Sequence, residues 1–237
     1  MSFTVPSDLL TYYAEWWENP RDPRSVVFGK LNRLVRERLP AGAGLSALDL
    51  GSGKGMIVSF LTERGYRVTS IEVNTDFVGA LRARFPGVTV IEGDVKEVLP
   101  RQRFDLVTAI EFTQNLDQVS LMRLLEQLAS ISSRLRVNIS NRNSLHGRWV
   151  AWRGFQMPFV HTYTPAELKE WLGRAGFRVD SSAGIGLVTP ITLWSRFHGR
   201  LIPIWIARLI DTVADRLFPE FCHLYYVEAS IVQRETG

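Results

Sequence analysis

Two hydrophobic periods alternate along most of this chain. In some runs nearly every residue, or every second one, is apolar. In others the apolar residues recur at three- and four-residue intervals. The first pattern predicts strands at Leu45–Leu50, Arg67–Val73, Val88–Glu92, Phe104–Ile110, Arg134–Ile139, Phe177–Ser181 and Leu224–Val232. The second predicts helices at Val27–Leu39, Met56–Arg64, Thr75–Phe85, Ser120–Ser132 and from Pro165 to Gly176. Leu121, Leu124, Leu125 and Leu128 share one helical face, as do Val27, Leu31, Leu34, Val35 and Leu39. Thr164-Pro165-Ala166-Glu167 marks a helix start, with proline at the first position and glutamate at the third.

Strands that alternate with helices predict an α/β fold: a mostly parallel sheet with helices on both faces and right-handed crossovers. The expected architecture is Rossmann-like and seven-stranded, with strand seven antiparallel. Residues 1–44 read as a helical N-terminal cap, 45–184 as the core, 185–223 as a helical insertion, and 224–237 as the last strand and tail. In the insertion, Ile202, Trp205, Ile206, Leu209, Val213 and Leu217 recur at helical spacing, with Pro203 and Pro219 near the two ends of the stretch. Arg208, Asp211, Thr212, Asp215 and Arg216 fall on the other face. A lid over an apolar acceptor is the first reading and a dimer surface the second. A membrane-surface helix is the third, because the polar face carries acids as well as arginines.

Composition narrows this little. The 237 residues are 46% hydrophobic and 22% charged, which suits one sizeable globular α/β domain. A single cysteine excludes an internal disulfide framework and a cysteine-based zinc site, so no metal is expected. Met1 to Pro6 lacks the basic start and apolar core of a signal peptide, and no apolar run reaches membrane-spanning length. A cytoplasmic protein, monomer or homodimer, is the expectation. The net charge of +4 comes largely from dispersed arginines with no basic run, so no nucleic acid is expected as partner.

The candidate chemistry centres on Asp49-Leu50-Gly51-Ser52-Gly53-Lys54-Gly55, which lies between the first strand and its helix. Glycines let a backbone approach a ligand closely, and the helix start offers unpaired N–H groups. A dinucleotide fingerprint wants G-x-G-x-x-G, and Met56 occupies its last glycine position. The acid-first pattern D-x-G-x-G-x-G instead resembles that of class I S-adenosylmethionine-dependent methyltransferases. Three further motifs follow in order. Glu72 ends strand two, where a carboxylate can accept from two ribose hydroxyls. Gly93-Asp94-Val95 follows strand three, and Ile110-Glu111-Phe112 ends strand four.

That resemblance spans roughly residues 45–182. It implies S-adenosyl-L-methionine as cofactor, held by Asp49, Gly51, Ser52, Gly53, Gly55, Glu72, Val73, Asp94, Val95, Glu111 and Phe112. The paired tryptophans Trp16 and Trp17, the run Thr162 to Leu168, and Ala175-Gly176-Phe177 are similar to the ubiquinone-type small-molecule branch. The family's Glu-His pair after strand four is absent here, since the run is Glu111-Phe112-Thr113-Gln114. No Asn/Asp-Pro-Pro-aromatic motif of amide- and base-nitrogen methylation follows that strand, and Cys222 lies far from it.

The expected reaction is therefore methyl transfer to an oxygen, in preference to a nitrogen, of a small apolar or aromatic acceptor, acidic ones included. Residues 138–165 read as a long functional loop beside the cofactor. His146 and His161 are its candidate general bases. Trp16, Arg142, Arg148 and Tyr163 are candidates for holding the acceptor, with Arg153 beside them. The alternatives are a catalytically inactive cofactor-binding module and an RNA methyltransferase.

Overall fold

A computed structural model of the chain describes residues 23–152, 160–189 and 204–232. A helix, α1 (Pro23–Arg38), precedes the sheet. The core then runs β1 (Ser46–Leu50), α2 (Met56–Glu63), β2 (Arg67–Glu72), α3 (Thr75–Arg84), β3 (Thr89–Glu92), the single turn α4 (Val95–Val98) and β4 (Leu106–Ala109). It continues with α5 (Gln118–Ile131), β5 (Arg134–Ser140), α6 (Leu145–Trp152), α7 (Pro165–Ala175), β6 (Phe177–Ile185), α8 (Ile204–Leu217) and β7 (Leu224–Ile231).

The seven strands form one sheet in the order β3-β2-β1-β4-β5-β7-β6. Pairing is parallel from β3 through β5, and β7 runs antiparallel to both neighbours. Strand alternation splits the core between the two faces. Leu48, Val107, Val137, Tyr225 and Val227 pack under α5 and α7, while Ala47, Val68, Leu106, Leu224 and Tyr226 pack under α1 and α2. Strand order reverses between β1 and β4, and the crevice at their carboxyl ends is the expected ligand site of such a sheet.

The helix at Pro165 forms as its residues require. The Thr164 hydroxyl accepts from Glu167 N at 3.1 Å, the Glu167 carboxylate accepts from Thr164 N at 2.7 Å, and Gly176 ends the helix in a left-handed conformation. Three elements differ from the sequence reading, the first being the single turn α4, which was not expected. The strand expected to end at Ser181 continues to Ile185, paired with β7 across a bulge between Val179 and Ser181. It lies at the sheet edge, where one flank is unpaired and Arg178, Asp180, Ser181 and Ser182 blur the apolar alternation. The stretch expected to be a loop over 138–165 contains α6, whose first turn is bonded by Gly147 N donating to the Ser144 hydroxyl at 2.8 Å.

Candidate active site

Asp49 sits near the carboxyl end of β1, in register with Thr108 of β4 on one side and Ser70 of β2 on the other. Its side chain is 2% exposed. Oδ1 accepts from the Thr108 hydroxyl at 2.6 Å, whereas Oδ2 has no hydrogen-bond partner among the described residues. Burial pushes the carboxyl up to about 7, against the lowering effect of the Thr108 bond. A buried carboxylate oxygen without a partner fits a cationic ligand.

The three glycines after Asp49 have different tasks. All have positive φ. A Cβ on Gly51 would lie 2.6 Å from the Phe112 ring, so this glycine admits that ring. A Cβ on Gly55 would meet Phe85 at 2.6 Å and Leu81 at 2.7 Å, so this one lets α2 close on α3. A Cβ on Gly53 would meet nothing within 4 Å, which leaves open space beside its backbone. Glu72 ties the loop to β2. Its Oε2 accepts from Gly53 N at 2.7 Å, and its Oε1 accepts from Val73 N and Asn74 N, each at 2.9 Å. A carboxylate offers about four acceptor positions, and three are used here. A ligand diol would share the last one or displace the Gly53 bond.

The rim continues around these residues. Gly93 N donates to Glu72 O at 3.0 Å and brings Asp94 alongside. Asp94 caps α4, accepting from Lys96 N at 3.0 Å, and Val95 behind it is buried. Val73 is exposed at the tip of β2, as an apolar wall for a ligand ring would be.

On the β4 side, Glu111 holds a left-handed conformation with φ of +56°, uncommon for any residue with a Cβ. A clamp explains how it persists. Glu111 N donates to Asn138 Oδ1 at 2.7 Å, and Asn138 Nδ2 donates back to the Glu111 carboxylate. Gln114 Nε2 donates to the Glu111 carbonyl at 2.8 Å and lies 3.3 Å from its Oε2. The half-buried carboxyl is pushed up to about 7 by burial. Gln114 Oε1, also buried, has no hydrogen-bond partner among the described residues.

Sequence reasoning did not assign Asn138, Gln114 or Thr108. Each acts across a strand or turn boundary, and a linear motif carries no such signal.

The acceptor and base candidates lie further out. His161 is exposed, and its N–H donates to Gln114 O at 2.8 Å, which places it beside the Glu111 cluster. His146 is buried edge-on against His223 with ring centroids 4.7 Å apart, and burial lowers it to about 4, so it is neutral at pH 7. Arg142 is bonded to Glu167 at 2.6 Å and to Thr162 O at 3.2 Å, which commits it to the start of α7. Tyr163, expected at the acceptor, is a core residue: its hydroxyl donates to Leu116 O and its ring stands edge-on to Trp171. Arg148 is exposed. Trp16, Trp17 and Arg153 lie outside the described residues. Among the described residues no cluster of metal ligands occurs.

A doubly wound sheet with an acidic residue, a glycine loop and a second acid at its switch point defines the class I S-adenosylmethionine-dependent methyltransferase architecture. The chain belongs to the methyltransferase domain family, whose model matches residues 23–182. It is 25% identical over 208 residues to the ubiquinone biosynthesis O-methyltransferase of Rhodopseudomonas palustris, covering 73% of this chain and 79% of that one. It is 39% identical over 61 residues to ribosomal RNA small subunit methyltransferase A of Geobacter sulfurreducens, but this chain spans just 22% of that protein's length. Among solved structures, magnesium protoporphyrin IX methyltransferase from Synechocystis with bound SAH superimposes with a TM-score of 0.69. The match covers 95% of each chain at 15% identity.

Proposed function

We propose that this chain transfers the methyl group of S-adenosyl-L-methionine to an oxygen of a small apolar or aromatic acceptor. Glu111 carries the proposal. It is a half-buried carboxyl, fixed by Asn138 and Gln114 at the end of β4 and titrating close to neutral pH. A general base is most effective when its pKa lies near the working pH. The name of the ubiquinone-type relative also favours oxygen, and the missing Pro-Pro motif disfavours amide and base nitrogens.

The residues present fit the cofactor. Asp49 has a buried oxygen with no partner among the described residues for its amino-acid cation, Glu72 one remaining acceptor position for its ribose, and Gly53 the open space for its backbone approach. When bound, S-adenosylmethionine supplies an electrophilic methyl on a sulfonium. The protein's part is to orient the acceptor in a dry cleft and to take its proton. In its ionised form the Glu111 carboxylate accepts the hydroxyl proton, while Asn138 and Gln114 hold both of its oxygens.

The test is a screen of phenols, catechols and carboxylic acids with labelled methyl donor. Once an acceptor is found, Glu111→Gln is expected to lower kcat roughly a hundredfold, with the Kd for S-adenosylhomocysteine within about twofold of the parent. For the parent, kcat should rise with pH and level off above about 7. His161, bonded to Gln114 through its backbone, is the second candidate base. Loss of turnover in His161→Ala with full turnover in Glu111→Gln would move the role there. Full turnover in both would point to a carboxylate acceptor, which needs no base.

A further inference from the structure

Helix α8 docks on the domain by the face that its sequence marks as polar. Ala207, Asp211 and Ala214 are buried, and Asp215 is half-buried. Asp211 accepts from Val188 N at 2.7 Å and from Thr189 N at 3.3 Å. Asp215 accepts from Gly186 N at 3.1 Å and Leu187 N at 3.0 Å. Lys30 of α1 lies 3.3 Å from the first carboxylate and 3.5 Å from the second. Both acids of the helix are thus turned inward, where backbone N–H groups and one shared ammonium meet them.

The apolar face is left outside. Trp205, Leu209 and Leu217 are each 65% exposed and Val213 is 59% exposed, and Phe218 and Phe221 extend the patch past the helix end. Trp205, Leu209, Val213 and Leu217 recur four apart and form one strip along ~18 Å of helix. Monomeric soluble proteins seldom leave such a strip open unless something covers it. The charges that remain exposed on the helix are Arg208 and Arg216, on one flank of the strip. Glu220, just beyond, is paired with Lys169 at 2.7 Å.

We propose that α8 lies on the surface of an anionic lipid bilayer, with the Trp205–Leu217 strip at the boundary between headgroups and acyl chains and Arg208 and Arg216 on the phosphates. An aromatic-rich apolar strip with flanking arginines and no outward acid is what such a surface binds. Charge complementarity selects this occupant over a second copy of the chain. A two-fold helix pair would set Arg208 against Arg216 of its mate with no exposed helix acid to compensate. The segment that α8 grips, Gly186 to Thr189, follows the carboxyl end of β6. That strand runs parallel to β1, so the bound helix would hold the cofactor edge of the sheet near the lipid. The proposal does not depend on the acceptor's identity. Among the described residues no helix is long and apolar enough to cross a membrane, so contact of this kind would be peripheral.

Sedimentation of the full chain with vesicles tests it. Vesicles of equimolar phosphatidylglycerol and phosphatidylcholine should pellet the protein at low salt, and pure phosphatidylcholine vesicles should pellet far less. Leu209→Glu/Val213→Glu should abolish pelleting, and Arg208→Gln/Arg216→Gln should weaken it, by roughly fivefold per arginine. All four positions are exposed, so an unchanged melting midpoint and unchanged S-adenosylhomocysteine affinity are expected to confirm that the variants fold. Failure of the parent to pellet with anionic vesicles would overturn the proposal. So would equal pelleting with neutral ones, or a concentration-dependent dimer that Leu209→Glu/Val213→Glu dissociates in the absence of any lipid binding.

Discussion

At the scale of single residues, the site stores two unfavourable carboxyls, and the binding of a cation should relieve one of them. Asp49 is held at about 7 by burial, well above the 3.8 of an exposed aspartate. Its raised pKa means that stability is greatest at low pH, where folded and unfolded forms are both protonated, and is lost as pH rises through 7. A ligand ammonium beside Oδ2 favours the ionised form and reverses that penalty. The affinity for S-adenosylhomocysteine should therefore rise roughly tenfold per pH unit up to about 7 and then level off. Asp49→Asn keeps the acceptor for the Thr108 hydroxyl but cannot ionise, so its affinity should be weak and flat with pH. Calorimetry between pH 5.5 and 8.5 measures both; a parent curve that is flat across that range would remove Asp49 from the ligand. Asp49 and Glu72 were legible in the sequence because a strand, a glycine turn and an acid are adjacent in the chain. Asn138 was not, because its bond to Glu111 exists only after β4 and β5 pair.

At the scale of elements, the glycine loop separates two demands that its motif merges. Gly53 leaves open space and Gly55 permits packing, so alanine at each should fail differently. Gly53→Ala, with φ of +49°, should cost about 1 kcal/mol in backbone strain. Its new methyl group would enter the ligand's space, and cofactor affinity should fall at least roughly tenfold, since 1.4 kcal/mol of lost contact suffices. Gly55→Ala would drive a methyl into Phe85 and Leu81 at a φ of +81°, and about 3 kcal/mol of stability should be lost. Denaturant melts and ligand titration on the two variants separate the effects; equal loss of affinity at equal stability would contradict this division. The same scale marks where periodicity stops informing. It predicted α7 almost to the residue, because cap, proline and terminal glycine are local chemistry. It missed α6, and it left β6 four residues short, because an edge strand with polar alternate positions carries a weak signal.

At the scale of the whole molecule, α1 joins parts of the fold that are distant in sequence. Arg38 O at its end accepts from the buried Arg136 of β5 at 2.7 Å, and Arg136 also meets Tyr226 and Glu228 of β7. Lys30 in its middle holds the two acids of α8. The amphipathic pattern of α8 was plain in the sequence, but a pattern does not say which face is covered. That choice follows from the backbone N–H groups of Gly186 to Thr189 and from Lys30, whose demand for carboxylates outweighed burial of the apolar strip. Lys30→Met tests this directly, since it keeps the apolar stem and removes the charge. Two carboxylates would then face each other with no ammonium between them, and removing one partner of a buried pair costs about 3 kcal/mol. Asp215 is already raised, by burial first, with Lys30 among the groups opposing that shift. In the variant it should rise further and take up a proton in acid. A raised folded pKa gives stability that is present at low pH and lost as pH rises. The deficit of Lys30→Met should accordingly be largest at pH 8 and shrink at pH 5, read as the difference in melting midpoint from the parent at each pH. A deficit of the same size at both would mean that Lys30 acts through its packing, and that the inward turn of the acids has another cause.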